Sequence, residues 1–165
     1  MTEVHFFRVP SKLARELKRG KGVMVADALV RAEAGLAAIQ ESCQAALDAE
    51  VAAMIQEYGA DAPDRETAGF EGLYRRGCTI LDVIGAVPDT GLEGVASSLC
   101  DLVDACEQSG QWDWPSVDVH LDMITLFHQT GRALPMEDKT RMVGELRRLT
   151  AFSTKRLKGA DQTLQ

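Results

Sequence analysis

A long apolar periodicity between Met24 and Tyr58 constrains the fold of this chain more than any other feature. Apolar residues recur there at steps of three and four, which keeps them on one face of an α-helix. These positions are Leu29, Ala32, Leu36, Ile39, Cys43, Leu47, Val51, Met54 and Tyr58. Only Gly35 breaks the pattern, and Gly59 follows it, so the sequence predicts one long helix that ends near Tyr58.

Further apolar periodicities follow, separated by loops that contain proline or glycine. They predict a second helix over about residues 65–86, a third over 90–108, a fourth capped by Ser116 and a fifth over 136–157. The predicted core positions of these helices are Phe70, Leu73, Gly77, Ile80, Leu81, Ile84, Leu92, Val95, Leu99, Leu102, Cys106, Val117, Leu121, Ile124, Phe127, Val143, Leu146, Leu149 and Leu157.

The arrangement of these segments predicts the fold class. Strand-like alternation is absent apart from the short stretch VHFFRV, and helices joined by short loops are expected to pack antiparallel. We therefore expect an all-α, up-and-down antiparallel four-helix bundle over residues 23–158, with an extra C-terminal helix. A basic arm over residues 1–22 and a frayed tail over 159–165 complete the prediction. Trp112 and Trp114 are expected to close one end of the core.

The charge is unevenly distributed along the chain. The net charge is −7, yet residues 1–22 carry six Lys/Arg against two acidic residues and residues 139–165 carry seven against two. The segment 23–138 is therefore strongly acidic and would repel phosphates, so neither a nucleic acid nor a membrane surface is expected as a partner. No apolar run approaches the roughly 20 residues of a membrane span and no secretory signal is visible, which predicts a cytoplasmic protein.

The four cysteines, Cys43, Cys78, Cys100 and Cys106, lack zinc-finger spacing and form no CxxC pair. They are expected to be free thiols. No phosphate-binding loop, dinucleotide fingerprint or acid–base pair stands out in the sequence. We therefore expect no metal, no cofactor and no enzymatic activity.

Cys78 lies at the edge of the apolar face of the second predicted helix, within the stretch LYRRGCTILDVIGA. Glu71, Arg75 and Asp82 share its stripe at helical spacing. Arg75 and Arg76 would favour the thiolate, whereas Asp82 would oppose it. Since no histidine is nearby in sequence to act as a base, a cysteine nucleophile is not the favoured interpretation.

The segment LYRRGCTILDVIGAVPDTGLEGVASSLCDLVD resembles the phosphoacceptor region of histidine phosphotransfer (Hpt) domains, and the chain is most similar to the chemotaxis-associated Hpt-like proteins. The stretches VPSKL and ALVRAEAGL add to this resemblance, which covers most of residues 4–130. It implies a four-helix bundle that displays an acceptor residue on a central helix. The positions that match the Hpt pattern are Leu73, Tyr74, Gly77, Ile80, Leu92, Val95, Ala96 and Leu99.

Three positions depart from the Hpt pattern. Cys78 stands where the family has its phosphoacceptor histidine, Leu81 where it has lysine, and Asp82 where it has glycine. The resemblance therefore implies a degenerate Hpt domain that binds a response-regulator receiver domain or a histidine kinase without carrying phosphate. The implied protein-binding surface consists of Glu71, Tyr74, Arg75, Cys78, Leu81 and Asp82.

Two alternatives remain open from the sequence. An active phosphotransfer protein would need another acceptor, either His120 or His128, although neither is followed by the Lys-Gly of the motif. Otherwise both are expected to be surface or boundary histidines. The second alternative is a structural bundle that forms a homodimer through its long first helix.

Overall fold

The computed structural model describes residues 24–87 and 90–161, and every regular element in these ranges is helical. The all-α prediction is therefore confirmed for the described chain, whereas the predicted arm and the end of the predicted tail lie outside the described residues. The helices are α1 (Val25–Tyr58), α2 (Phe70–Ile84), α3 (Leu92–Ser109), α4 (Trp114–Thr130) and α5 (Met136–Asp161), with short 3-10 helices at Arg65–Thr67 and Gly131–Ala133.

The chain divides into two compact units, Met1–Ala38 and Ile39–Gln165, and the division falls within α1. In the first unit, the described residues 24–38 form an exposed helix, in which the side chains of Leu29 and Leu36 are 58% and 48% exposed. Ile39, at the start of the second unit, is exposed as well. The expectation that these three residues belong to the core was wrong, because a periodic pattern shows which face is apolar but not whether anything covers it.

The core of the second unit is centred on α3, which packs against α2, α4 and α5. The second half of α1 contributes Leu47, Val51, Met54 and Tyr58 to this core, as its periodicity predicts. The predicted core positions of α3 and α4 are all buried: Leu92, Val95, Leu99, Leu102, Cys106, Val117, Leu121, Ile124 and Phe127. Helix α5 adds Leu146 and Leu157 to the same cluster, while Val143 and Leu149 are half-buried against it.

A close approach between α2 and α3 depends on Gly77. A Cβ atom at this position would lie 2.7 Å from Cys100 Sγ, a distance that side chains do not tolerate without movement. The absence of a side chain at Gly77 thus allows Cys100 to pack directly onto the backbone of α2.

Two helix boundaries differ from the sequence-based expectation. Helix α2 begins at Phe70, because Arg65–Thr67 forms a separate 3-10 helix. Helix α4 begins at Trp114, so Ser116 is not its N-cap but lies in its first turn, where its hydroxyl donates to Asp113 Oδ2 at 2.8 Å. Proline is well suited to the first helical turn, which explains why α4 extends through Pro115.

The two tryptophans predicted to close one end of the core lie just before α4 and at its first residue. Both Trp112 and Trp114 pack against the core cluster, and their rings stack at 4.5 Å between centroids. Trp112 also lies 4.4 Å from the ring of Phe70 and donates its indole N–H to the Ala68 carbonyl at 3.1 Å. Arg65 covers the Trp114 ring at 4.2 Å, an arrangement that favours a cation–π contact.

Candidate functional site

The predicted binding residues form a continuous stripe on α2. Glu71, Tyr74, Arg75 and Asp82 are exposed, and Cys78 is half-buried in the middle of the stripe. Their spacing of three or four residues places them one above the other on a helix. Leu81 is half-buried and packs against the core cluster. We refer to Glu71, Tyr74, Arg75, Cys78, Leu81 and Asp82 as the Cys78 patch.

The side chains of the two arginines before Cys78 lie in different surroundings. Arg76 binds the carboxylates of Glu50 and Glu57 on α1, with Nη1 2.9 Å from Glu50 Oε1 and Nε 2.8 Å from Glu57 Oε2. Arg75 is exposed on the stripe of Cys78. Consecutive residues on a helix diverge by 100°, so Arg76 links α2 to α1 instead of joining the patch.

A second thiol lies directly behind the patch. Cys100 on α3 is only 8% exposed, and its thiol donates to the Tyr74 carbonyl with Sγ 4.0 Å from the oxygen. Burial is the main cause that raises the pKa of Cys100 to about 12, and the negative charge of a neighbouring Cys78 thiolate is the next. The charges of Cys78 and Cys100 also raise the pKa of the Tyr74 phenol. Cys100 is therefore a protonated thiol at neutral pH, and it lies against the backbone of the patch at Tyr74.

His120 lies in the core rather than at the surface, contrary to expectation. Its side chain is 0% exposed, and Nδ1–H donates to the Ser116 carbonyl at 2.7 Å. This leaves Nε2 as an acceptor, 3.1 Å from both Ser98 Oγ and Thr150 Oγ1. Both ring nitrogens are thus hydrogen-bonded, so that burial of a neutral imidazole costs little free energy.

The sequence contained a signal for this polar cluster that the apolar periodicity alone does not reveal. Ser98 follows Val95 by three residues, and Thr150 follows Leu146 by four, so both hydroxyls occupy core positions of their helices. A buried hydroxyl requires a partner. Polar residues at core positions of two helices therefore favour a buried polar partner on a third.

The buried histidine predicts a pH-dependent stability. Burial lowers the pKa of His120 below its ordinary value of 6.5, against the opposing effect of its bond to the Ser116 carbonyl. Between this lowered pKa and about pH 6.5, His120 is protonated in the unfolded chain but neutral in the folded one, so the unfolded chain binds more protons. We expect the free energy of unfolding to fall as the pH drops from about 6.5 toward the lower folded pKa, by at most about 1.4 kcal/mol per pH unit for this one group.

Urea unfolding measured between pH 8 and pH 5 tests this prediction. In His120→Gln, which has no titrating group at this position, the slope of stability against pH in this range should be reduced. The difference in the free energy of unfolding between the natural chain and His120→Gln at pH 8 gives the cost of the substitution itself. Equal slopes for the two proteins would contradict a neutral buried His120.

The second histidine, His128, lies at the boundary, as expected. Its Nε2 is 2.8 Å from Asp48 Oδ1 on α1, and its side chain is 22% exposed. The hydrogen bond from His128 lowers the pKa of the Asp48 carboxyl. His128 therefore remains within reach of solvent, unlike His120.

The described ranges contain neither a cluster of metal-binding side chains nor a membrane-spanning helix. No group of three or more His, Cys, Asp or Glu side chains is arranged to hold a metal ion within residues 24–87 and 90–161. In the same part of the chain, no helix has the length and apolarity needed to cross a bilayer.

Comparison with known proteins does not assign a family. No family model matches this chain, and no match was found among curated proteins or among solved structures. The fold and the site define the class only as an all-helical protein with an exposed polar stripe around a cysteine.

Proposed function

We propose that this chain is a degenerate Hpt-like signalling protein of the cytoplasm, which binds a response-regulator receiver domain or a histidine kinase without carrying phosphate. The observation that carries the proposal is the position of Cys78. It lies half-exposed at the centre of an exposed helical stripe, where the sequence resemblance expects a phosphoacceptor histidine.

The packing around the patch supports this proposal. Helix α2 rests on the central helix α3 and leaves Glu71, Tyr74, Arg75 and Asp82 in solvent. The proposed architecture is an up-and-down bundle of α1–α4, which the second half of α1 joins through the core cluster. Helix α5 is added against α3 and α4. Such a bundle presents a rigid helix face to a partner, which reduces the ordering cost of association.

The chemistry of the patch argues against phosphate transfer. A phosphoryl group arriving at Cys78 would need positive charge nearby to stabilise it. At the position of the Hpt lysine, Leu81 supplies none and is turned toward the core. The patch has a single cation, Arg75, which is opposed by the exposed carboxylate of Asp82 on the same stripe, and Asp82 would repel the phosphoryl oxygens. The patch thus retains a surface for docking and lacks the groups for transfer.

Transfer through another histidine is the first alternative. His120 is a poor acceptor, because it is fully buried and both of its nitrogens are hydrogen-bonded. His128 is accessible, although Asp48 occupies its Nε2. Acid-labile labelling of the unmodified protein that maps to His128 would favour this alternative over docking alone.

Binding to a panel of purified receiver domains, followed by calorimetry, tests the proposal. We expect at least one receiver to bind and Tyr74→Ala to weaken this binding about tenfold, because exposed aromatic residues at the centre of a contact contribute strongly to affinity. Phe152→Ala is the matched control, since Phe152 is a similarly exposed aromatic residue on α5. Equal weakening by both substitutions, or no binding to any receiver or kinase, would contradict the proposal.

A structural homodimer through α1 is the second candidate function, favoured by the exposed apolar residues Leu29, Leu36 and Ile39. Together with Ala32 they recur at steps of three, four and three, the kind of seam that pairs helices of two copies. Sedimentation of the protein without any receiver measures this association. A dimer that is lost in Leu36→Glu and retained in Ala34→Glu, on the opposite side of the helix, would favour this function.

A further inference from the structure

Cys78 and Cys100 are brought together by the packing of α2 on α3. The thiol of Cys100 is bonded to the Tyr74 carbonyl, with Sγ 4.0 Å from the oxygen, and the same sulfur would be 2.7 Å from a Cβ at Gly77. In an α-helix the carbonyl of residue 74 accepts the N–H of residue 78. Cys100 Sγ therefore lies against the helical turn that ends at Cys78.

The side chain of Cys78 lies on the same turn. Side chains on a helix lean toward its N-terminus, so the Cys78 thiol is directed back toward Tyr74, where Cys100 Sγ is located. Cys100 Sγ lies 4.0 Å from the Tyr74 carbonyl oxygen and against Gly77, so the two cysteine side chains approach the same turn of α2. A disulfide needs Cβ atoms about 3.5–4.5 Å apart, which requires closely packed helices, and α2 and α3 pack closely at Gly77.

The two thiols differ in accessibility. Cys78 is half-exposed within the patch, whereas Cys100 is buried beneath α2. A small oxidant dissolved in water can reach the first and not the second. The pair therefore has the form of an exposed thiol that reacts and a neighbouring thiol that resolves the product.

We infer that Cys78 and Cys100 form an oxidative modification site, at which a hydroperoxide converts the two thiols into one intramolecular disulfide that links α2 to α3. This inference does not rest on the proposed docking function, since it concerns only the chemistry of the two thiols.

The reaction balances in two steps. The Cys78 thiolate attacks the peroxide oxygen, the O–O bond breaks, and a sulfenic acid forms on Cys78 while the remaining oxygen leaves as an alcohol or water. The Cys100 sulfur then attacks the sulfur of the sulfenic acid, the S–O bond breaks, and water leaves with the proton of the Cys100 thiol. In total, the two thiols lose two protons and two electrons, and the hydroperoxide is reduced to an alcohol or water with release of one further water.

The other two cysteines supply internal comparisons. Cys43 is half-buried on α1, and Cys106 is buried on α3. Cys106 follows Cys100 by six residues, which places it about 240° around the helix. It therefore faces away from α2 and cannot reach Cys78.

Treatment of the full chain with hydrogen peroxide, followed by intact mass measurement and peptide mapping, tests the inference. We expect a loss of about 2 Da and a cross-linked peptide pair that joins Cys78 to Cys100. Cys106→Ser should form the same link. Cys78→Ser should not form it, and Cys100→Ser should instead stop at oxygen adducts on Cys78. Circular dichroism of each variant verifies that the helices are retained.

Two results would overturn the inference. One is wild-type protein in which Cys78 gains oxygen while Cys100 remains an alkylatable thiol after unfolding. The other is a disulfide that joins Cys43 or Cys106 in place of the expected pair. If a variant loses its helical signal, Cys106→Ser and the wild-type peptide map still decide the question.

Discussion

Replacement of Ile80 by alanine is expected to lower the free energy of unfolding by about 2–5 kcal/mol, the cost typical of removing a large aliphatic side chain from a core. Ile80 is 0% exposed in the middle of α2 and belongs to the core cluster formed with α1, α3 and α4. The truncation would remove packing contacts on which the adjacent Cys78 patch depends. Urea unfolding followed by circular dichroism measures the change.

Leu36→Ala is the matched control for this experiment. Leu36 lies in the middle of a helix as well, but its side chain is 48% exposed. Because alanine is a good helix former and little packing is lost, we expect a change within about 0.5 kcal/mol. A loss at Leu36 as large as that at Ile80 would mean that the first half of α1 is covered by another surface.

Introduction of three residues of the Hpt motif is expected to create phosphotransfer in this chain, which we propose has none. The triple variant Cys78→His, Leu81→Lys and Asp82→Gly supplies an acceptor, a cation for the developing charge and space for the partner. Cys78→His alone should give little transfer, since Leu81 and Asp82 remain. Transfer is measured as acid-labile label received from a phosphorylated receiver domain that binds the natural chain.

The matched control keeps Leu81→Lys and Asp82→Gly but carries Cys78→Gln, which cannot accept a phosphoryl group. It also measures the stability cost of a glycine within the helix, about 1 kcal/mol. Equal labelling of the control and the triple variant would show that the label resides elsewhere. No labelling of a folded triple variant that still binds the receiver would contradict the alignment of Cys78 with the acceptor.

The disulfide inference and the docking proposal are linked through Tyr74, yet they can fail separately. Tyr74 is 44% exposed at the surface, while its backbone carbonyl accepts the Cys100 thiol. A chain that forms the Cys78–Cys100 disulfide but binds no receiver would support the disulfide inference and contradict the docking proposal. A chain that binds a receiver but never forms the disulfide would support the docking proposal and contradict the disulfide inference.

Much of the fold was predictable from local patterns. The spacing of apolar residues placed α1, α3 and α5 within a few residues of their observed bounds and identified the buried positions of α3 and α4. It also placed Glu71, Arg75, Cys78 and Asp82 on one stripe. These properties follow from the 3.6-residue repeat of the helix, which does not depend on the partners of the helix.

The tertiary structure alone decided which apolar faces are covered and which polar groups meet. Leu36 and Met54 lie on the same periodic face of α1, but Met54 is buried in the core cluster whereas Leu36 is 48% exposed. His120 is buried because Ser98 and Thr150, distant in sequence, supply its hydrogen bonds. Cys100 packs onto the backbone of α2 beside Cys78 because Gly77 allows α3 to approach α2 closely. A helical repeat specifies the direction of each side chain, whereas its neighbours are set by packing between segments that the repeat does not relate.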